Sequence, residues 1–261
     1  FLEEHKAYAR AVIRHFDGCI REDGTMSLHE GCGMGYFLDW STFENQKESV
    51  IGTAALICLM AKKYSRIEAM AECDRILKCL SGYLNAHSTM KPVRAFHILA
   101  GRAQGDDAQM LEKDGAKGFS TFMAYYILTA MSLSKSNQML PTLKTYYGAM
   151  LSRGATSFWE DFDMDWLENS GRIDAMPAVG QKDIHGDYGR FCYEKFRHSL
   201  CHGWSAGVLA FIVEYIVGVQ IENGGKTVRI QPHLSGLHNI EASIPVSGGM
   251  LRMNAREGEI T

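Results

Sequence analysis

A change of hydrophobic period near residue 219 constrains this chain more than any other feature. Before it, apolar residues recur at three- and four-residue spacing, as on one face of a helix. After it they alternate with period two, as in a half-buried strand. In residues 1–17, Phe1, His5, Tyr8, Ala9, Val12, Ile13 and Phe16 follow the helical rule, and Gly18 supplies a stop. Ser41-Thr42-Phe43-Glu44 and Ser65-Arg66-Ile67-Glu68 have the capping-box spacing. They predict helices running to about Lys63 and about Tyr83. Further helices are expected near 91–102, 119–135, 138–152 and 199–217. The 119–135 stretch is apolar nearly all round, which predicts burial on most faces. Residues 19–40 are glycine-rich and read as a long loop.

In the tail, Val228 to Gln231, Ala242 to Val246 and Met250 to Met253 alternate, with Ser247-Gly248-Gly249 as a turn. The expected fold is therefore mainly α: a helical portion over 1–219, then a small antiparallel β region over 220–261. Consecutive helix pairs, with longer loops between some of them, predict an α/α array that is either a solenoid or a closed toroid. No strict repeat is visible, which weighs against the solenoid. So few strands do not close a stable sandwich alone. They are expected to pack on the helices or to join strands contributed from elsewhere.

Composition narrows the partners. The formal net charge is −3 and no Lys/Arg run occurs, so nothing points to nucleic acid. The longest apolar stretch, Gly207 to Val219, is broken by Glu214 and Gly218 and falls short of the roughly 18 residues that span a bilayer. The 7 cysteines are odd in number and scattered, unlike a disulfide framework. Cys58, Cys73 and Cys79 are expected as small core residues. The chain opens inside a helical pattern without an initiator Met, so it is expected to be the C-terminal part of a longer polypeptide, with any targeting signal upstream.

Three clusters carry candidate chemistry. The stretch from Gly154 to Trp166, GATSFWEDFDMDW, gathers Glu160, Asp161, Asp163 and Asp165 with Trp159 and Trp166. It reads either as an acidic loop with aromatic anchors or as a sugar cleft. In a sugar cleft, aromatic faces meet the apolar side of a pyranose and carboxylates act as acid, base or nucleophile. A calcium loop is excluded, because Trp166 stands where Gly is needed and no Glu occupies the twelfth position. The second cluster, Gly31 to Trp40, lacks the spacing of a dinucleotide fingerprint. His29-Glu30 likewise lacks the second His of a zinc-protease helix. What remains is Asp39-Trp40, in which Trp40 is equally a packing anchor or a ligand platform. In the third cluster, Cys192, His198, Cys201 and His202 match no common zinc spacing. His202, beside Gly203 and Trp204, either donates to a ligand hydroxyl or is buried and satisfied. No metal and no cofactor is implied, and no nucleophile elbow or P-loop is present.

GATSFWEDFD, RHSLCHGWSAG, the helix ending YIVGVQI and the tail KTVRIQPHLSGL…IPVSGGMLRM together resemble the C-terminal half of bacterial α-L-rhamnosidases. FLDW before a capped helix pair fits the same family. The resemblance spans about Phe1 to Met253, and Gly-Ala-Thr-x-x-Trp-Glu is its most specific part. It implies an inverting glycosidase with an (α/α)6 six-hairpin toroid followed by a β-sandwich. It implies Glu160 as general base, His202 as a substrate-binding residue, and Asp39 and Trp40 as pocket lining, with Trp159 and Trp204 beside the sugar. The implied partner is a rhamnose-containing glycan or glycoside, while the compartment, periplasm or cytoplasm of a bacterium, stays open. The family's general acid lies in an acidic motif that this sequence lacks. It is therefore expected on the missing N-terminal part of the polypeptide, leaving a half-site here. The alternatives are another six-hairpin glycosidase, of fucosidase or unsaturated uronyl hydrolase type, a non-catalytic carbohydrate-binding relative, and a helical-repeat interaction protein.

Overall fold

The structure, a computed structural model, describes residues 2–27, 36–176, 178–180 and 199–261. The chain is mainly α with a small antiparallel β region of two sheets. It divides into two compact units, Phe1–Lys113 and Asp114–Thr261. The glycine cluster at 31–35, His29-Glu30 and the 182–198 part of the third cluster lie outside the described residues.

The first unit holds α1 (Leu2–Gly18), α2 (Gln46–Tyr64), α3 (Ala71–Cys79), α4 (Ser81–Leu84), α5 (Lys91–Leu99) and α6 (Asp107–Glu112). Its centre is α2, which packs on α3, α4 and α5. Small residues make that possible: Gly52, Ala54, Ala55, Cys58 and Ala61 are all buried. A Cβ on Gly52 would lie 2.6 Å from Leu38 Cδ2 and 3.1 Å from Val93 Cγ2, so α2 and α5 approach as closely as they do only with glycine there. On the other side, α1 lies along α3. Arg10 bonds Glu68, Arg14 bonds Glu72 and Arg75 bonds Asp17, each pair 58 residues apart. A constant offset means that α1 and α3 run parallel.

Helix starts depart from the expected caps. The Ser41–Glu44 box does not open α2, because Trp40–Thr42 forms a 3-10 turn in which Thr42 Oγ1 donates to Asp39 O at 2.9 Å. Asn45 caps α2 instead, accepting the Glu48 amide at 3.2 Å. Ser65 closes α2 rather than opening a helix, its hydroxyl donating to Ala61 O at 2.9 Å. Glu68 leaves the helix pattern to take Arg10 and the Tyr64 hydroxyl. Cys58 and Cys73 are buried as expected, whereas Cys79 is half-buried. Glu48 spans 41 and 42 residues to accept the backbone amides of Thr89 and Met90 just ahead of α5, at 2.8 and 3.1 Å. Burial works against that carboxylate, but the bonds from Ser88, Thr89 and Met90 outweigh it and hold its pKa below the usual value.

His97 on α5 is fully buried, and among the described residues neither ring nitrogen has a hydrogen-bond partner. Asp107 Oδ2 lies 4.0 Å from Nδ1, and Arg94 is the other charge facing it. Burial pushes the imidazole pKa below its ordinary 6.5, with Asp107 opposing and Arg94 reinforcing the shift. The unfolded chain then binds this proton more readily than the folded one. The resulting stability is complete above the ordinary pKa and is lost as pH falls through it toward the depressed folded value. The urea midpoint should therefore drop between roughly pH 7 and 5, and His97→Leu should flatten that part of the curve. An unchanged slope in the variant would remove His97 as the cause.

The second unit holds α7 (Ala124–Leu133), α8 (Met139–Ser152), a 3-10 turn at Gly203–Ala206, α9 (Gly207–Phe211) and a π-helical turn at Ile212–Ile216. Its core is aromatic: Phe119, Tyr146, Trp159, Phe162 and Phe211 are fully buried. Tyr146 meets Phe119 at 5.5 Å and Phe162 at 5.7 Å between ring centroids. The helix expected over 199–217 begins only at Gly203 and runs without a break to Ile216, as 3-10, then α, then π geometry. Residues 199–202 are drawn out of helical geometry by pairing with the 158–160 backbone, Glu160 N–H donating to Ser199 O and His202 N–H to Phe158 O.

Strands follow: β1 (Val219–Glu222), β2 (Thr227–Ile230), β3 (Asn239–Val246), β4 (Gly249–Arg256) and β5 (Glu259–Ile260). β1 pairs with β2, with Val219 opposite Ile230. β3 and β4 form a hairpin with Val246 opposite Gly249, and β5 adds to β4. Gly218 turns the chain from the π turn into β1 at φ +76°, where a Cβ would stand 1.9 Å from Gln231 O. No helix among the described residues is long and apolar enough to cross a membrane.

Candidate functional site

The acidic stretch begins where α8 ends. Gly154 adopts φ +87°, and residues 155–163 run on without regular structure. Side chains replace the missing ladder. Ser157 Oγ donates to Leu200 O, Ser205 Oγ to Trp159 O, and Tyr146 Oη to Phe162 O. The Glu160 carbonyl accepts from both Thr121 Oγ1 and Trp204 Nε1. Ser120, whose hydroxyl accepts the Met123 amide at 3.3 Å, delays α7 to Ala124 and leaves Thr121 free of the helix.

Glu160 is half-buried. Its Oε2 accepts the Ser199 amide at 2.8 Å, while Oε1 takes no hydrogen bond from the described residues. One oxygen is thus anchored by a backbone donor and the other is left to accept from a small molecule. The His202 and Trp204 rings lie 4.7 Å apart between centroids at 60°, and Phe122 meets Trp204 at 5.3 Å. His202 is half-buried and extended, and neither of its ring nitrogens bonds a described residue.

The other acids of the stretch are committed. Asp161 is buried, its Oδ1 accepting its neighbour's Phe162 amide at 2.8 Å. Asp163 accepts the Asp165 amide at 2.8 Å, and Asp165 pairs with Lys117 at 2.9 Å. Trp159, expected beside a ligand, is a core residue. It is 0% exposed and packs on Phe162 at 5.9 Å, so no face of the indole is presented outward.

Asp39 and Trp40 belong to the first unit. Asp39 is buried and accepts the Ser41 hydroxyl at 2.7 Å. Trp40 is half-buried in an aromatic trio, 4.9 Å from Phe37 and 6.3 Å from Phe43. Glu160, His202 and Trp204 are therefore brought together within the second unit, and Asp39 and Trp40 within the first. Ser199 and Thr121 went unnoticed in the sequence, since each meets Glu160 from 39 residues away. No protein-family model matches the chain, and no curated protein matches it either.

Proposed function

We propose that the chain belongs to an inverting glycoside hydrolase that cleaves terminal α-L-rhamnosides, with Glu160 as the general base. The observation that carries this reading is the Glu160 carboxylate, fixed through Oε2 on the Ser199 amide with Oε1 uncommitted. Such a group accepts a proton from water as that water's oxygen attacks the anomeric carbon. The bond from that carbon to the aglycone oxygen breaks, and a protonated carboxyl on the opposite face supplies the leaving group's proton. No residue of this chain is assigned that second role. His202 supplies a hydrogen bond to a sugar hydroxyl, and the exposed part of Trp204 supplies apolar surface beside it. The (α/α)6 toroid is the fold proposed to frame the site. Parallel α1 and α3, with α3 packed on α2, support an array of paired helices as the local arrangement.

The test is hydrolysis of an aryl α-L-rhamnoside by the complete polypeptide, followed by NMR of the first sugar released. Release of the β-anomer first is the expected result. Release of the α-anomer would exclude a base acting on water in a single displacement. Tight binding of rhamnosides without turnover would make the chain a carbohydrate-binding relative instead.

A further inference from the structure

We infer that Thr121 and Trp204 are positioning residues that clamp the main chain of Glu160 and so set where its carboxylate points, an inference that rests on reading Glu160 as the base. A carbonyl oxygen has two lone pairs. On Glu160 both are filled, one by Thr121 Oγ1 ahead of α7 and one by Trp204 Nε1, the latter at 2.8 Å. The same residue's amide donates to Ser199 O at 2.8 Å, and its Oε2 accepts the Ser199 amide at 2.8 Å. Of the polar atoms of Glu160, only Oε1 is uncommitted among the described residues. The backbone here belongs to no helix or sheet, so these bonds, together with the buried Trp159 and Phe162 side chains nearby, fix the origin of the side chain. A reacting group must be held within about 0.5 Å of its working position, and a misplacement of about 1 Å costs about 100-fold in rate. Trp204 is accordingly a strut as well as a surface. Its N–H is spent on the main chain while its ring touches His202 and Phe122. A change at His202 therefore reaches Glu160 through one ring.

The clamp is tested on the 15N-labelled protein by following two resonances, the Ser199 amide and the Trp204 indole N–H. The Ser199 amide should lie downfield because its acceptor is a carboxylate, and Glu160→Gln should move it upfield. Thr121→Val keeps the branched shape and removes only the donor. It should also move the Ser199 amide upfield and lower kcat on an aryl rhamnoside by at least about tenfold with little change in KM. Thr121→Ser should restore both. Trp204→Phe combined with Thr121→Val should cost less than the product of the single effects, because both act on one carbonyl. A folded Thr121→Val protein whose Ser199 amide stays in place would overturn the clamp, as would rapid solvent exchange of the Trp204 indole N–H in the unaltered protein. If the resonances respond as expected but the unaltered protein hydrolyses no glycoside, the clamp stands and the reading of Glu160 as a base fails.

Discussion

Glu160→Gln is expected to lower kcat/KM for α-L-rhamnosides by roughly 10²–10⁴-fold, the range typical of a lost acid–base group. The change is nearly isosteric. The amide oxygen of Gln can still accept the Ser199 N–H that Glu160 Oε2 accepts now at 2.8 Å. The carbonyl clamp from Thr121 and Trp204 involves only the main chain and persists. Melting temperature should therefore stay close to that of the unaltered protein while turnover collapses. That separation distinguishes lost chemistry from lost structure. Asp163→Asn and Asp165→Asn serve as controls. Their carboxylates are occupied by a neighbouring amide and by Lys117, so both variants should retain most of the activity. If Glu160→Gln keeps full turnover, the base is another group, and Asp161 is next to be replaced. It is less suited, because its carboxylate is buried with Oδ1 on the Phe162 amide.

How much of this was legible in the sequence depends on the range of the forces involved. Helices α2, α5 and α8 follow from apolar periodicity, because burying one stripe is a local requirement with a local signature. Helix α1 shows the same spacing, although Tyr8 and Val12 of its stripe are exposed and, among its described residues, only Ile13 is buried. The β3–β4 hairpin follows in the same way from alternation around Ser247-Gly248-Gly249. Caps were harder to place. Ser41 and Ser65 have the right spacing, yet Thr42 and Ser65 found backbone acceptors in turns and the cap passed to Asn45. The 199–217 stretch is helical only from Gly203, because pairing of residues 199–202 with the 158–160 backbone outweighs their helical propensity. The short α6 carries too few apolar positions for a period to register. At the site, Glu160 stands out because acids and indoles crowd its neighbourhood. Its partners do not, since Thr121 lies 39 residues before it and Trp204 lies 44 after it. Trp159 is buried in the core, and an aromatic beside an acid looks the same in sequence whether it faces a ligand or the core.

Arg94→Met is expected to destabilise the unit Phe1–Lys113 by about 3–5 kcal/mol, the usual cost of removing one partner from a buried ion pair. Arg94 and Asp107 both have side chains that are 0% exposed, and Arg94 Nη1 sits 2.5 Å from Asp107 Oδ1. The guanidinium also bonds Ser88 O through Nε, Asp106 Oδ1 through Nη1 and His87 Nε2 through Nη2. It thus joins α5 to the loop before it and to the start of α6. Methionine fills similar volume but donates nothing. Asp107 would keep the Gln104 amide on Oδ2 at 2.6 Å and, 4.0 Å away, His97, whose burial disfavours its charged form, so the carboxylate taken fully out of water would lose its guanidinium counter-charge. Replacing both partners, Arg94→Met with Asp107→Leu, removes the stranded charge along with its partner. It should recover most of the lost stability, because a buried pair is worth far less than the penalty for breaking it. Urea titrations of the single and double variants measure the difference. A single variant within about 1 kcal/mol of the unaltered protein would mean that Asp107 finds water or another donor when Arg94 is gone, and that the pair does not hold α5 and α6 together.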